Sequence, residues 1–224
     1  LPDQISALVN LKSLIVSGNQ LTTPLCPGLI GLQSLVILDL SSNQLTKLVA
    51  ELRRLPALER LDSSHNQITS LELNHLPPSL RHLNLSHNKL ETLPDGLLEV
   101  LPVLVSLDLS FNQLTTGKLT LHRRPPADRG GGGSSSADKP QLTSLFLSNN
   151  RLDSPPDLSG LSQLKEVTIS SNRLASLPLD CFQGCNELVT LDVARNKLGQ
   201  LPSQGFVRTL PKLARFDVSS NDLS

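Results

Sequence analysis

The sequence contains very few aromatic residues. Its 224 residues include no Trp, Tyr or Met and only five Phe, whereas 51 residues are Leu. A compact core normally combines side chains of several shapes to fill space. A core built mainly from one type of side chain suggests that the same local packing arrangement is repeated many times along the chain. The composition therefore favours a repeat architecture over an ordinary globular core.

Excess charge of one sign and long apolar runs are also missing. Twenty basic residues balance twenty acidic ones, which argues against a module that holds nucleic acid or a membrane surface by bulk attraction. No apolar run approaches the roughly 18 residues that a membrane-spanning helix needs. We therefore expect neither a nucleic-acid partner nor a membrane span.

Cysteine is scarce, with Cys26, Cys181 and Cys185 as the complete set. An odd and low count does not make a disulfide framework, and the spacing of the last two is not the C-x-x-C of redox or zinc sites. Scarce cysteine favours a reducing compartment. We therefore expect buried free thiols and a cytoplasmic location.

What the sequence does contain is a short repeat. The template L-x-x-L-x-L-x-x-N-x-L, in which V, I or F can replace L, matches nine times in one register between Leu11 and Leu223. Its alternating L-x-L segment predicts a short strand with one buried face. The residues between templates supply the return crossover that parallel strands require. Because one such strand cannot bury its face alone, we expect the coils to stack into a parallel sheet over a continuous core.

Each template carries one Asn at an inward position just after the strand. A polar side chain kept inside must be satisfied there, and an amide can bond backbone groups in its own and the next coil. The separations are 22 to 25 residues, apart from one gap of 38. We predict a structural ladder made of Asn19, Asn43, Asn66, Asn88, Asn112, Asn150, Asn172, Asn196 and Asn221.

With nine matches over nearly its whole length, the chain resembles the leucine-rich-repeat family, in the short class common in intracellular scaffolds. The resemblance implies an α/β fold, a right-handed horseshoe solenoid of about nine repeats with a concave parallel sheet. It also implies a non-enzymatic protein, without cofactor, that binds a protein partner on that face. Neither end looks capped, so we expect residues 1–224 to be a single solenoid domain of a longer protein.

Two features depart from the repeat. Ser63 occupies a core Leu position in the third repeat, where we expect a thin core and a hydroxyl bonded to backbone. The 38-residue gap holds about 15 extra residues with Gly and Ser runs, which behave as flexible coil. We assign residues 116–139 to a flexible insertion within the fifth repeat, which is either a tethered functional motif or a tolerated surface expansion.

The outward positions of the strands predict the binding face. One outward column holds Asp in five of nine repeats, either as an acidic ridge for a basic partner or as a feature common in the family. Aromatic and Arg side chains are the usual anchors of interfaces. We predict a partner-binding surface made of Arg60, His65, His82, His87, Phe111, Phe146, Asp39, Asp62 and Asp108, with a smaller apolar patch at Ile15, Val36 and Ile37.

The three neighbouring histidines of that surface raise a metal hypothesis, but no ligand spacing such as H-x-x-x-H supports it. We predict no metal site, and a pH-sensitive interface is the better interpretation because His titrates near neutrality. The sequence also lacks G-x-S-x-G, a phosphate-binding Gly loop and H-E-x-x-H. No catalytic residue is predicted.

Three functions remain open. We favour an intracellular signalling scaffold or regulator that binds a folded protein on its concave side. The first alternative is the docking arm of a larger enzyme, such as a kinase, phosphatase or ubiquitin ligase. The second is an extracellular receptor or matrix domain, for which the glycosylation sequon Asn84-Leu85-Ser86 is relevant.

Overall fold

The computed structural model describes residues 1–23, 25–115, 121, 140–178, 180–201 and 204–224. In that part of the chain, nine parallel strands form one sheet in sequence order. Every template contributes one three-residue strand. The strands are β1 (Ser13–Ile15), β2 (Ile37–Asp39), β3 (Arg60–Asp62), β4 (His82–Asn84), β5 (Ser106–Asp108), β6 (Ser144–Phe146), β7 (Glu166–Thr168), β8 (Thr190–Asp192) and β9 (Arg215–Asp217).

The return segments use short helices rather than strands. The α-helices are α1 (Leu97–Val100) and α2 (Gln204–Arg208). Single turns of 3-10 helix occupy Asp3–Ala7, Pro27–Gly31, Ala50–Arg54, Leu73–His75 and Asp180–Phe182. The predicted leucine-rich-repeat horseshoe is confirmed.

Leucine fills the interior because each coil offers the next one the same contact. The middle residue of each strand points inward, and Leu38, Leu61, Leu83 and Leu107 are at most 2% exposed. Burying such a side chain contributes about 1.5–3 kcal/mol. Phe182 and Phe206 fill the core on the return side near the C-terminal end. Their ring centroids are 5.7 Å apart, and the rings pack edge to face.

The asparagine ladder joins neighbouring coils, although in the direction opposite to the predicted one. Asn112 donates to the carbonyl oxygens of Leu109 and Ser110 in its own coil and to that of Leu85 in the preceding coil. Its Oδ1 accepts from the amide of Leu90, also in the preceding coil, at 2.9 Å. Leu85 comes directly after β4, and its carbonyl points towards the following coil. There it accepts a hydrogen bond from the side-chain amide of Asn112.

Ser63 departs from the prediction. Its side chain is fully buried, and its Oγ is the one buried side-chain polar atom without a hydrogen-bond partner among the described residues. The expected bond to backbone is not made, because the Ser63 side chain lies in the inward column between the buried side chains of Leu40 and Leu85. The carbonyl of Ser63 itself accepts from Asn66 and Asn88.

The predicted insertion at residues 116–139 lies almost wholly outside the described residues. Leu121 is the exception, and its side chain is buried in the core. Among the helices of the described segments, none has the length and apolar character needed to cross a bilayer.

Candidate functional site

The sheet places outward side chains from different repeats next to one another. Arg60 pairs in register with His82, and Asp108 pairs with Phe146. Adjacent strands lie about 4.8 Å apart, so each outward column forms a continuous row. The strand-end row begins with Ile15, Asp39 and Asp62, as the sequence predicts.

A groove of about 390 Å³ runs along this face over β1 to β6. We call it the concave groove. Ile15, 66% exposed, and Ile37 form its apolar N-terminal end. Six of the nine predicted partner-binding residues line it, namely Asp39, Arg60, Asp62, His82, Asp108 and Phe146. Val36 of the predicted apolar patch is half-buried and does not line the groove.

The acidic row of the groove has a structural task as well. Oδ1 of Asp39 accepts a hydrogen bond from the amide of Ser41 at 2.9 Å. Asp62 and Asp108 make the equivalent bond two residues on. A carboxylate in this position caps the turn that ends the strand. The family-typical interpretation of these aspartates therefore has direct geometric support, and the second carboxylate oxygen is left to other contacts.

The middle of the groove combines both charges. Oδ2 of Asp62 accepts from Nδ2 of Asn84 at 3.0 Å, which ties β3 to β4. The pKa of His82 is lowered, first by partial burial and then by the guanidinium groups of Arg60 and Arg81. His82 is therefore largely a neutral imidazole at neutral pH, while Arg60 is an exposed cation beside it.

The other three predicted residues lie elsewhere. Just before each ladder Asn, the backbone adopts left-handed angles, with φ of 51° at His65, 53° at His87 and 55° at Phe111. This conformation turns the side chains away from the groove, and the three rings stack in a row. Ring centroids are 3.9 Å apart between His65 and His87 and 4.0 Å apart between His87 and Phe111. We call this row the ring stack.

The predicted surface is thus divided into two parts, the concave groove and the ring stack at the strand ends. Phe111 is 47% exposed, and a left-handed backbone is unfavourable for a bulky residue. Burial and then His65 lower the pKa of His87, while Asp108 raises it. The sequence held a signal for this backbone, because Gly18 and Asn149 occupy the same position and both residue types tolerate left-handed angles.

In the described segments, no group of three or more His, Cys, Asp or Glu side chains could hold a metal ion. The cysteines are free and buried. The thiol of Cys181 donates to the carbonyl of Pro178, and that of Cys185 to the carbonyl of Leu158. Burial raises the pKa of both thiols to about 12. They therefore stay protonated and shielded at any physiological pH.

Comparison with known proteins identifies relatives along the whole chain. Models of the leucine rich repeat match residues 9–68, 64–114, 141–161 and 162–223. Tsukushi from Mus musculus is 34% identical over 196 residues, which cover 85% of this chain and 52% of Tsukushi. Lumican from Homo sapiens is 29% identical over 225 residues, which cover 95% of this chain and 61% of lumican. The chain thus spans about half the length of these relatives.

A solved structure supports the same architecture. The octameric complex of Latrophilin 3, Unc5D and FLRT2, in which FLRT2 carries the leucine-rich repeats, matches with a TM-score of 0.75 and 26% identity. The match covers 91% of this chain and 59% of that one. One relative is named an enzyme, the PH domain leucine-rich repeat protein phosphatase 1 of Rattus norvegicus, but the match covers only 8% of its length.

The relatives overturn the predicted cytoplasmic location. Tsukushi, lumican and osteomodulin are secreted proteins of the extracellular matrix. The inference from cysteine was wrong for a physical reason. A buried thiol is shielded from oxidants and needs no reducing compartment to stay free. All three cysteines are buried, so they carry no information about location.

Proposed function

Because the chain belongs to the leucine-rich-repeat family, we propose that it is a binding module of an extracellular protein and that it holds a protein partner in the concave groove. It does no chemistry of its own in this proposal. The observation that carries it is the groove itself, an open cleft of about 390 Å³ in which six strands present side chains in register. The secreted relatives support the location.

The chemistry of the groove suits a protein segment of mixed character. Exposed Ile15 and Ile37 at one end can bury an apolar side chain of the partner. Arg60 in the middle can pair with a carboxylate, and Phe146 at the other end offers an aromatic anchor. Such alternation of apolar, charged and aromatic contacts is typical of protein interfaces.

The ring stack extends this surface at the ends of β3 to β5. Exposed Phe111 in a left-handed conformation loses backbone freedom and leaves apolar area in water. An observed outlier of this kind is grounds for a functional hypothesis. We assign the ring stack to the rim of the interface, where the His87 imidazole, whose pKa is lowered first by burial, makes binding sensitive to pH.

The sequon at Asn84 constrains this model. Nδ2 of Asn84 donates to Asp62, its Oδ1 accepts from the amide of Ser86, and the side chain lines the groove. A glycan on that nitrogen would remove the bond to Asp62 and fill the groove. We expect mass spectrometry of the protein secreted from cells to find Asn84 unmodified. Full occupancy of the sequon would contradict a binding role for the groove.

The experiment that tests the proposal is capture of partners from conditioned medium with matched baits. Phe146→Glu places a carboxylate in the groove, whereas Thr190→Glu places one in β8, outside the groove. We expect a partner that the unchanged protein and Thr190→Glu both retain and Phe146→Glu loses by tenfold or more. Both variants should unfold at about the same temperature as the unchanged protein, because both positions are half-exposed.

Phe111→Glu separates the two parts of the surface. If the ring stack belongs to the rim, this variant weakens capture less than Phe146→Glu does, because rim contacts contribute less than buried anchors. A partner held equally by all three variants would place the interface elsewhere on the solenoid. Retention of the tagged full-length protein inside expressing cells would contradict the extracellular part of the proposal alone.

A further inference from the structure

A second surface, outside the concave groove, concentrates positive charge. Four exposed cations lie in three successive coils, just beyond the C-terminal ends of β6, β7 and β8. We call them the basic strip, and they are Arg151, Arg173, Arg195 and Lys197. The chain as a whole is neutral, with 20 basic and 20 acidic residues, so the strip is a local feature that net charge does not reveal.

Backbone hydrogen bonds place three of these residues in one row across successive coils. The amide of Arg151 donates to Leu114, that of Arg173 to Leu152, and that of Lys197 to Leu174, at 2.7 to 3.0 Å. Each bond reaches the equivalent leucine of the preceding coil, so the three cations repeat with the coil spacing of about 4.8 Å. Arg195 adds a fourth charge in the same coil as Lys197, from a left-handed backbone with φ of 55°.

The backbone position does not require a cation. The same column carries Gln20, Gln44, Gln67 and Gln113 in four of the five earlier coils. The remaining one holds Lys89, an isolated cation whose Nζ donates to Gln67. All of these coils fold with the same register. A purely structural role would not distinguish the C-terminal coils from the N-terminal ones. The charge is therefore an addition to the fold, and an exposed row of like charges costs repulsion unless something offsets it.

Internal ion pairs do not offset it. In the described part of the chain, ion pairs join His75 to Glu72, Arg81 to Glu59 and Lys212 to Glu187, and none involves the strip. Nearby Asp192 uses Oδ1 to cap its own turn by accepting from Ala194. Asp222 ends the column in the ninth coil, and none of the ion pairs among the described residues joins it to Lys197. Four like charges thus face solvent together.

We propose that the basic strip binds a sulfated polysaccharide. A linear polymer with regularly repeated anionic groups matches a linear file of cations with a regular repeat, and clusters of Lys and Arg form the usual heparin-binding patches. The guanidinium groups of Arg151, Arg173 and Arg195 can each make paired hydrogen bonds to a sulfate, and Lys197 adds a point charge.

The surroundings of the strip favour this ligand over other polyanions. The residues just before the ladder Asn in these coils are Asn149, Ser171 and Arg195. The strip itself therefore offers no aromatic ring on which a nucleic-acid base could stack, and Phe111 of the preceding coil is the one ring in that column beside it. The adjoining Ser148 and Ser170 are polar and bond each other at 2.9 Å. No exposed apolar side chain among them could anchor an acidic peptide.

The test is elution of the purified protein from immobilised heparin. Arg151→Gln, Arg173→Gln and Lys197→Gln are combined in one variant, and Lys12→Gln, Lys47→Gln and Arg54→Gln in a control that loses the same charge from exposed positions in the first coils. We expect the strip variant to bind heparin about 10- to 100-fold more weakly, with a salt dependence reduced by about three charges. The control should elute with the unchanged protein.

Three outcomes would overturn the proposal. The unchanged protein passes through heparin at physiological salt, or the two variants shift equally, or a single-stranded oligonucleotide, poly-glutamate or desulfated heparin binds the unchanged protein as tightly as heparin does. The strip lies outside the concave groove, so partner capture by the strip variant should be unchanged. Failure of one proposal therefore leaves the other intact.

Discussion

Ser63 provides a sharp test of how the core is built. Its hydroxyl is fully buried without a hydrogen-bond partner, between Leu40 and Leu85 in the same column of neighbouring coils. Leaving such a group unsatisfied costs about 1–3 kcal/mol. Ser63→Ala removes the hydroxyl and keeps the backbone carbonyl that accepts from Asn66 and Asn88. We therefore expect this substitution to increase the free energy of unfolding.

The expected gain for Ser63→Ala is about 1–2 kcal/mol, since the smaller side chain restores no packing. In a chain of this size that corresponds to a rise of roughly 2–8 °C in the unfolding midpoint. Ser63→Leu should gain more, because sheet register holds the neighbouring coils apart at the spacing that leucine fills elsewhere in the column. Thermal and urea unfolding monitored by circular dichroism measure both variants.

Ser64→Ala is the matched control, one residue along. The hydroxyl of Ser64 donates to Oδ1 of Asp62 at 2.6 Å, so its removal should lower the free energy of unfolding by about 0.5–1.5 kcal/mol. Opposite signs for the two serines are the predicted result. If Ser63→Ala lowered the free energy of unfolding, the Ser63 hydroxyl would have to be hydrogen-bonded in solution, contrary to this prediction.

Three further predictions concern the ladder, the thiols and the ring stack. Asn112→Ala breaks bonds within its own coil and to the preceding coil and should cost about 2–4 kcal/mol in urea unfolding. Asn19→Ala should cost about 1 kcal/mol or less, because its amide bonds only its own coil, and equal losses would contradict the ladder. Cys181 and Cys185, with pKa values of about 12, should resist a thiol reagent at pH 8 until denaturant is added, and rapid labelling of the native protein would disprove their burial. The pKa of His87 is lowered on folding, so the unfolded chain takes up protons first and stability should fall as the pH drops below about 6.5. His87→Phe should reduce the loss of stability between pH 7.5 and 5. If the free energy of unfolding of this variant depended on pH as that of the unchanged protein does, His87 would not be the group responsible.

The fold could be predicted well from the sequence because the repeat pattern determines where each strand lies. Each template fixes one strand, and the spacing of the ladder asparagines fixes the register, so all nine strands pair as expected. The orientation of the ladder was predicted wrongly because it depends on which way the carbonyl of a residue such as Leu85 faces. Alternation of inward and outward residues does not contain that information.

The arrangement of the proposed binding surface was harder to predict for the same reason. Strand alternation correctly groups Arg60, His82 and Phe146 on one face. It says nothing of the left-handed residues after the strand, which carry His65 and Phe111 away from the groove into a separate stack. Side chains in the turn follow the local backbone angle, whereas those in the strand follow the period of two.

Site-directed photo-crosslinking is the most direct test of partner binding in the concave groove. A benzophenone amino acid at position 146 lies in the concave groove, and one at position 183 lies at an exposed site on the return side. In conditioned medium, we expect position 146 to form a discrete adduct with one protein and position 183 to form no adduct with that protein. An adduct formed only from position 183, or equally from both, would contradict a partner held in the groove.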